Sequence, residues 1–195
     1  FVSANYIQTA NIVSALGEKN NHASISEFAG IYDGNGMSLS ISDTLFDTLS
    51  GTVKNLKLCG EIEVVSSDAE LSGIPAGVLA NTADGALISG LTVSGNIKSE
   101  RAVTGGIVGE LKSGRMEYVN SSVNVKGLIA GGIAGKSGGS VINCVSTGEV
   151  AASGTNAGGI AGILAANGLI QNCGFGGAVT SGENAGGIAG NKEAK

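Results

Sequence analysis

The stretch Gly-Gly-Ile-Ala-Gly at residues 131–135 occurs again at 158–162 and 186–190, and Gly-Gly-Ile-Val-Gly stands upstream at 105–109. The first glycines of the four copies are 26, 27 and 28 residues apart. A repeat of this length is typical of a solenoid, in which each copy is one structural unit that stacks on the next. The repeat therefore predicts a stacked architecture.

Alignment of the copies places apolar residues in four columns that extend upstream of the glycine motifs. The first column lies within the motif, the third follows the second by three residues, and the fourth follows the third by six. The columns contain, in order, Leu45, Val78, Ile107, Ile133, Ile160 and Ile188; Val53, Ile88, Met116, Val141 and Ile170; Leu56, Leu91, Val119, Cys144 and Cys173; and Ile62, Ile97, Val125, Val150 and Val179.

The residues just before the fourth column are mostly polar, and this alternation of polar and apolar positions indicates β-strands. They are Glu61, Asn96, Asn124, Glu149 and Ala178. Strands that run in one direction and lie a full repeat apart must pair in parallel. We therefore predict an all-β fold, a right-handed parallel β-helix of about six coils spaced about 4.8 Å apart. A helical solenoid is the alternative at this period, but the repeats lack stretches of good helix formers.

Two parts of the chain depart from the repeat. Residues 1–27 are predicted to form an N-terminal cap, with Thr9 as the N-cap of a short helix that runs to Leu16 and stops at Gly17. Residues 28–195 are predicted to be one domain of repeats within a larger protein, and residues 66–75 are predicted to form a loop that bulges from the coil. The glycine pairs are expected to adopt positive φ and to let coils approach closely at a corner.

Composition narrows the classes of function. The chain has 195 residues, of which 34 are glycine and 42% are hydrophobic, and its net charge is −5. Its 11 basic residues are scattered, which argues against nucleic acid as a partner. No apolar run approaches the eighteen or so residues of a membrane span, so membrane insertion is not expected.

The glycine motif, followed by an apolar-Xaa-Asn-Cys stretch at residues 141–144 and 170–173 and a Gly-Xaa-Val ending, resembles the GLUG repeat. The opening Phe-Ala-Gly-Ile-Tyr-Asp-Gly-Asn-Gly at residues 28–36 is similar to the segment that commonly precedes such repeats. The resemblance covers roughly residues 28–190.

The resemblance implies a context for the protein rather than an active site. GLUG repeats occur in large secreted or wall-attached bacterial proteins, including adhesin-like surface proteins and the non-catalytic part of immunoglobulin A1 zinc metallopeptidases. Those peptidases carry a His-Glu-Xaa-Xaa-His motif in a separate domain, and nothing in this sequence matches it. The resemblance therefore implies an extracellular protein, secreted or attached to the cell wall.

Candidate catalytic and metal-binding residues are few. Glu61 and Glu149 share the outward column, but two intervening coils would place them about 14 Å apart, too far for paired acid and base catalysis. The turn at residues 33–36 offers oxygen ligands for calcium, yet it is an isolated turn. The single histidine, His22, stands in a polar stretch. We expect no catalytic, cofactor-binding or metal-binding residues and no cofactor.

Cys144 and Cys173 occupy the same column in consecutive repeats and should be neighbours in the core. The spacing permits a disulfide, although side chains along a ladder point the same way and apolar residues hold the matching positions. We expect buried free thiols that act as small hydrophobes. The third cysteine, Cys59, leaves at least one thiol without a partner in this chain.

The sequence favours a non-catalytic β-helix module of a bacterial surface or secreted protein, a stalk or an adhesin-like surface for a host protein or glycan or for other domains of the same polypeptide. The candidate contact residues are Tyr118 and Phe175, which are predicted to face outward, and the 66–75 loop. A second hypothesis is an accessory domain of an immunoglobulin A1 protease-like enzyme whose catalytic domain lies outside this chain. A polysaccharide-degrading β-helix enzyme is weaker, because clustered carboxylates and aromatic platforms are lacking.

Overall fold

The computed structural model describes residues 2–13, 24–64, 73–100 and 103–194. These residues form 28 short strands and, within the described ranges, no helix. The strands lie in four sheets, which we number I to IV in the order in which the chain visits them within a coil. The all-β architecture predicted from the repeat is therefore confirmed.

Each sheet collects one strand, or two short ones, from each coil. Sheet I contains β9 (Ala76–Gly77), β13 (Val103–Gly105), β17 (Ile129–Gly131), β22 (Asn156–Gly158) and β27 (Asn184–Gly186). Sheet II contains β3 (Ile25–Phe28), β6 (Phe46–Leu49), β10 (Ala80–Ala83), β14 (Val108–Leu111), β18 (Ala134–Ser137), β23 (Ala161–Leu164) and β28 (Ala189–Lys192). Sheet III contains β1 (Tyr6–Ile7), β4 (Ile31–Asp33), β7 (Thr52–Lys54), β11 (Ala86–Ser89), β15 (Gly114–Glu117), β19 (Ser140–Ile142) and β24 (Leu169–Gln171). Sheet IV contains β2 (Ile12–Val13), β5 (Ser38–Ile41), β8 (Lys57–Val64), β12 (Thr92–Ser99), β16 (Asn120–Gly127), β20 (Val145–Ser146), β21 (Val150–Ala152), β25 (Gly174–Phe175) and β26 (Val179–Thr180).

Neighbouring strands in every sheet are parallel and come from successive coils, as in β10 with β14 and β12 with β16. This is the parallel β-helix that the repeat predicts, and its right-handed sense remains a prediction. Sheets II and III each contain seven strands, slightly more than the predicted six or so coils. The extra rung arises because strands that precede residue 31 also join the stack.

The strand register confirms the predicted interior columns with one exception. The second column runs Val53, Ile88, Met116, Val141, Ile170, and the fourth runs from Ile62 to Val179. In the first column, however, Leu79 and not Val78 aligns with Ile107, because Ala80 pairs with Val108. The alignment erred there because Val78 occupies the place of the second motif glycine, and the copy at 77–79 reads Gly-Val-Leu.

The N-terminal segment continues the stack as strands. Val2 bridges to Phe28, β1 pairs with β4, and β2 pairs with β5. The predicted helix from Thr9 is therefore wrong at Ile12 and Val13, which form β2, and its end at Leu16 and Gly17 lies outside the described residues. The sequence does not distinguish a strand from a helix at this apolar pair, because two residues are too few to show a period. The separate status of residues 1–27 remains a prediction.

A buried glutamine fastens this first coil to the second. Gln8 is 4% exposed, and its Nε2 donates to the carbonyl oxygens of Ala10 at 2.7 Å and Ser38 at 2.8 Å. The Tyr32 hydroxyl donates to Gln8 Oε1 at 2.9 Å. Because the amide is satisfied on both sides, it can be buried at the end of the stack without a large desolvation cost.

The glycine motif is the place where sheet I lies against sheet II of its own coil and of the following coil. A Cβ on Gly131 would lie 2.6 Å from the amide nitrogen of Gly162, and one on Gly105 would lie 2.6 Å from that of Gly135. The first glycine of one motif thus faces the last glycine of the next, and neither position has room for a side chain. The predicted close approach of coils is confirmed.

The predicted positive φ of the motif glycines is wrong. The glycines with positive φ among the described residues are Gly36, Gly85, Gly90, Gly95 and Gly114, and all lie outside the motif. The motif glycines are required by space and not by backbone conformation, because the two sheets meet backbone to backbone.

Candidate interaction surface

The outward face of sheet IV carries a ladder of amide and carboxylate groups. Asn96 Nδ2 donates to both carboxylate oxygens of Glu61, at 3.2 and 2.9 Å, and Asn124 Nδ2 donates to Asn96 Oδ1 at 2.9 Å. The ladder ends at Glu149, whose backbone N–H donates to Asn124 Oδ1 at 2.9 Å. Asn96 and Asn124 therefore separate Glu61 from Glu149 as predicted, and the Asn96 amide binds the Glu61 carboxylate.

Other charged side chains on the outer faces form local pairs. Lys98 Nζ lies 2.9 Å from Glu63 Oε1 on the adjacent strand of sheet IV, and this hydrogen bond raises the pKa of Lys98. On sheet III, Arg115 and Glu117 of β15 form an ion pair at 2.6 Å. Such exposed pairs contribute little to stability, but they leave these faces with small local charge.

A turn at the start of the stack holds Asp33. The backbone N–H of Asn35 donates to Asp33 Oδ1 at 2.9 Å, Asn55 Nδ2 donates to the same oxygen at 3.1 Å, and Lys54 lies 3.2 Å from Oδ2. The hydrogen bonds from Asn35 and Asn55, with the adjacent Lys54, lower the pKa of Asp33. The carboxylate weighed as a calcium ligand therefore acts in this structure as the acceptor that organises a turn.

The corner between sheets III and IV requires a left-handed residue in every coil from the third to the seventh rung. The residues there have φ between 53° and 64° and donate their backbone N–H to the next coil where one follows. This column contains Asn55, Gly90, Tyr118, Asn143 and Asn172. Asparagine and glycine tolerate this conformation, which explains the Asn of the Asn-Cys motif.

Tyr118 is the exception in that column. Its φ of 54° is unusual for a bulky residue, and its side chain is 60% exposed, so packing does not compensate the conformational cost. The prediction that Tyr118 faces outward is confirmed. We define the Tyr118 surface as Leu87, Arg115, Tyr118, Asn120 and Val145, which are exposed and lie at nearby register positions of sheets III and IV.

Phe175 was also predicted to face outward, and this is wrong. It pairs with Ser146 in an inward-facing column of sheet IV and is half-buried against the core. A Cβ on Gly159 would collide with its ring. The sequence does not show which way Phe175 faces, because it stands in a short strand between glycines, where there is no alternation of polar and apolar residues.

The remaining predicted loop residues fall partly outside the described ranges. Of the 66–75 loop, only residues 73–75 are described, and His22 also lies outside. Within the described part of the chain, no group of three or more His, Cys, Asp or Glu side chains is placed to hold a metal ion. The same residues contain no helix long and apolar enough to cross a membrane.

All three cysteines are free thiols in the structure. Cys144 is fully buried and Cys173 is half-buried, and they occupy the same interior column in adjacent coils. The neighbouring Cys173 sulfur, together with burial, raises the pKa of Cys144. Cys144 in turn lowers the pKa of Cys173, because its S–H can turn toward a thiolate at Cys173 and stabilise it.

Comparison with known proteins supports the fold. No protein-family model and no curated protein matches the chain. Among solved structures, the chain is similar to the crystal structure of a "putative immunoglobulin A1 protease" from Bacteroides ovatus, with a TM-score of 0.70 and 15% sequence identity. The match covers 97% of this chain and 77% of that one. At this identity the similarity shows a common fold.

Proposed function

We propose that the chain is a non-catalytic β-helix module of a bacterial cell-surface or secreted protein, serving as a stalk or as an adhesin-like surface for a ligand. The observation that carries the proposal is the stack itself. Each coil pairs in register with the next, so that side chains on the outer faces form straight columns. A rigid scaffold with repeated outer columns suits a stalk that holds other domains apart, or a surface that displays side chains to a ligand.

The state of the surface carboxylates supports a non-catalytic role. Glu61 accepts two hydrogen bonds from Asn96, Asp33 organises a turn, and Glu117 is paired with Arg115. General acid and base catalysis needs carboxyl groups that face a substrate in proximity to one another. Here each group is engaged with its own neighbours on a separate part of the surface.

The Tyr118 surface is the proposed contact region. An exposed aromatic residue at a position that favours asparagine or glycine costs stability without a gain in packing. Strain of this kind commonly accompanies a functional role, and Tyr and Arg are enriched where binding energy concentrates. Beside Tyr118, sheet IV presents the exposed hydroxyl and amide side chains of Thr92, Asn120 and Ser122, which can hydrogen-bond a host glycan or a glycosylated protein.

The extracellular location is part of the proposal. The GLUG resemblance supports it, and the structural similarity to a protein named as a "putative immunoglobulin A1 protease" agrees with that resemblance. Partners are then a host protein or glycan, or other domains of the same polypeptide.

Binding to an immobilised mucin-type glycoprotein, measured by biolayer interferometry, tests the proposal. We expect the chain to bind and Tyr118→Asn to bind at least about tenfold more weakly, the loss expected for an aromatic anchor. The control is Tyr118→Phe, which keeps the ring. Equal binding by the chain and Tyr118→Asn, or binding by neither, would argue against the Tyr118 surface as the contact region.

The second candidate is an accessory domain of an immunoglobulin A1 protease-like zinc metallopeptidase. The structural similarity to the Bacteroides ovatus protein favours it. The chain should then bind immobilised immunoglobulin A1 without cleaving it, and the complete protein should contain a His-Glu-Xaa-Xaa-His motif in another domain. Binding to mucin-type glycans alone would favour the first proposal over this one.

A further inference from the structure

Cys144 and Cys173 are held in register by the backbone around them. Ile142 pairs with Gln171 just before the two cysteines, and Val145 pairs with Gly174 just after them. The Gly174 N–H donates to the Cys144 carbonyl oxygen at 3.0 Å. Adjacent strands lie about 4.8 Å apart, which falls within the Cα separations that disulfides span.

We propose that Cys144 and Cys173 form a disulfide when a peroxide oxidises the protein, and that this bond ties the coil containing Cys173 to the coil below it. In the reduced state each sulfur lies close to backbone carbonyl oxygens. Cys144 Sγ is 3.2 Å from the Ile142 oxygen and Cys173 Sγ is 3.3 Å from the Gln171 oxygen. The two thiols lie in an interior column that is apolar in the preceding coils, where Leu91 and Val119 occupy the same position.

The two cysteines differ in access, and this sets the order of the steps. Cys173 is half-buried near the end of the stack, whereas Cys144 is fully buried. The Cys173 thiol loses its proton, and the thiolate attacks one oxygen of hydrogen peroxide as the O–O bond breaks. This gives a sulfenic acid at Cys173 and a hydroxide, which takes up the released proton to form one molecule of water. The Cys144 sulfur then attacks the Cys173 sulfur, the S–S bond forms as the S–O bond breaks, and the hydroxyl leaves with the Cys144 thiol proton as a second molecule of water. The peroxide is thereby reduced and the two thiols are oxidised.

Cys59 provides an internal control. It is half-buried on the outward side of sheet IV, where Ser40 and Ser94 hold the same column in the adjacent coils. Cys59→Ser therefore places a residue that the column already contains. Cys173→Val removes one thiol of the pair and introduces a residue that this interior column already contains at Val119.

The experiment uses the Cys59→Ser protein, reduced and then treated with a few equivalents of hydrogen peroxide. We expect free thiols under denaturing conditions to fall from two to none, while the protein loses two hydrogen atoms in mass and stays monomeric on a non-reducing gel. Cleavage after glutamate should give a disulfide-linked pair of peptides, residues 118–149 and 150–183. Trypsin would leave both cysteines in one peptide and could not show the cross-link, because no lysine or arginine stands between Lys136 and Lys192.

The cross-link should also stabilise the fold. The two cysteines are 29 residues apart, and closing a loop of that size should raise the midpoint of thermal unfolding by about 5–10 °C. A reductant should reverse the shift, and the Cys173→Val variant should show none. Retention of both thiols, stable sulfinic acid at Cys173, or cross-linking between chains would each overturn the proposal, because each shows that the sulfurs do not meet within one chain.

Discussion

At the scale of the residue, the left-handed corner explains more of the sequence than the glycine motif does. Five coils turn from sheet III to sheet IV through a residue with positive φ, and four of those residues are asparagine or glycine. The Asn-Cys pair at 143–144 and 172–173 thus combines a residue that makes the corner with one that enters the core. This role could not be predicted from apolar periodicity, because the corner asparagine is polar and is replaced by Tyr118 in one coil.

Tyr118→Asn should stabilise the protein. The left-handed conformation costs a bulky residue about 1 kcal/mol more than asparagine, and the side chain is mostly exposed, so its removal sacrifices little packing. We expect the free energy of unfolding to rise by about 0.5–1 kcal/mol in urea titration. Tyr118→Phe keeps the bulky ring and should leave stability unchanged. A lower stability for Tyr118→Asn would show that the ring packs more tightly than its exposure indicates.

At the scale of the element, turns and short strands depend on hydrogen bonds that a sequence does not display. The turn after β4 was correctly predicted from Asp-Gly-Asn-Gly, but the donors from the next coil, Asn55 and Lys54, could not be predicted. Likewise β1 and β2 have two residues each, and only their pairing with β4 and β5 identifies them as strands. The long strand β16 alternates exposed and buried residues along its full length, so the sequence was sufficient there.

The Asp33 turn makes a prediction about pH. Because its pKa is lowered in the folded protein, Asp33 contributes stability above its unfolded pKa, near pH 4, and this contribution is lost as pH falls through the folded value. Asp33→Asn should therefore unfold at lower urea than the parent at pH 7, and the difference should shrink below about pH 4. A difference that is constant between pH 7 and pH 2 would show that the ionised carboxylate has no part in the turn.

At the scale of the whole molecule, the repeat predicted the path of the chain and the interior columns. The period of about 27 residues, four apolar columns and the lack of helix-forming stretches led to a parallel β-helix, and the register confirms it. The candidate contact residues were harder to predict. Tyr118 faces outward as expected, whereas Phe175 faces inward, because two-residue strands between glycines leave no alternation to read. The sequence predicts a close approach at the glycine motif, but it does not identify sheet II as the partner, because a glycine indicates space without a side chain and does not show which backbone fills it.

The glycine motif is the place where coils pack together, and one pair of substitutions tests this claim. Gly132 and Gly187 are both second glycines of the motif, but a Cβ on Gly132 would collide with the Gly159 carbonyl oxygen and Ser146, while one on Gly187 would have no atom within 4 Å. The decisive measurement is the free energy of unfolding of Gly132→Ala and Gly187→Ala by urea titration. We predict a loss of about 2 kcal/mol or more for Gly132→Ala and a change within about 0.5 kcal/mol for Gly187→Ala. Equal effects of the two substitutions would contradict the account.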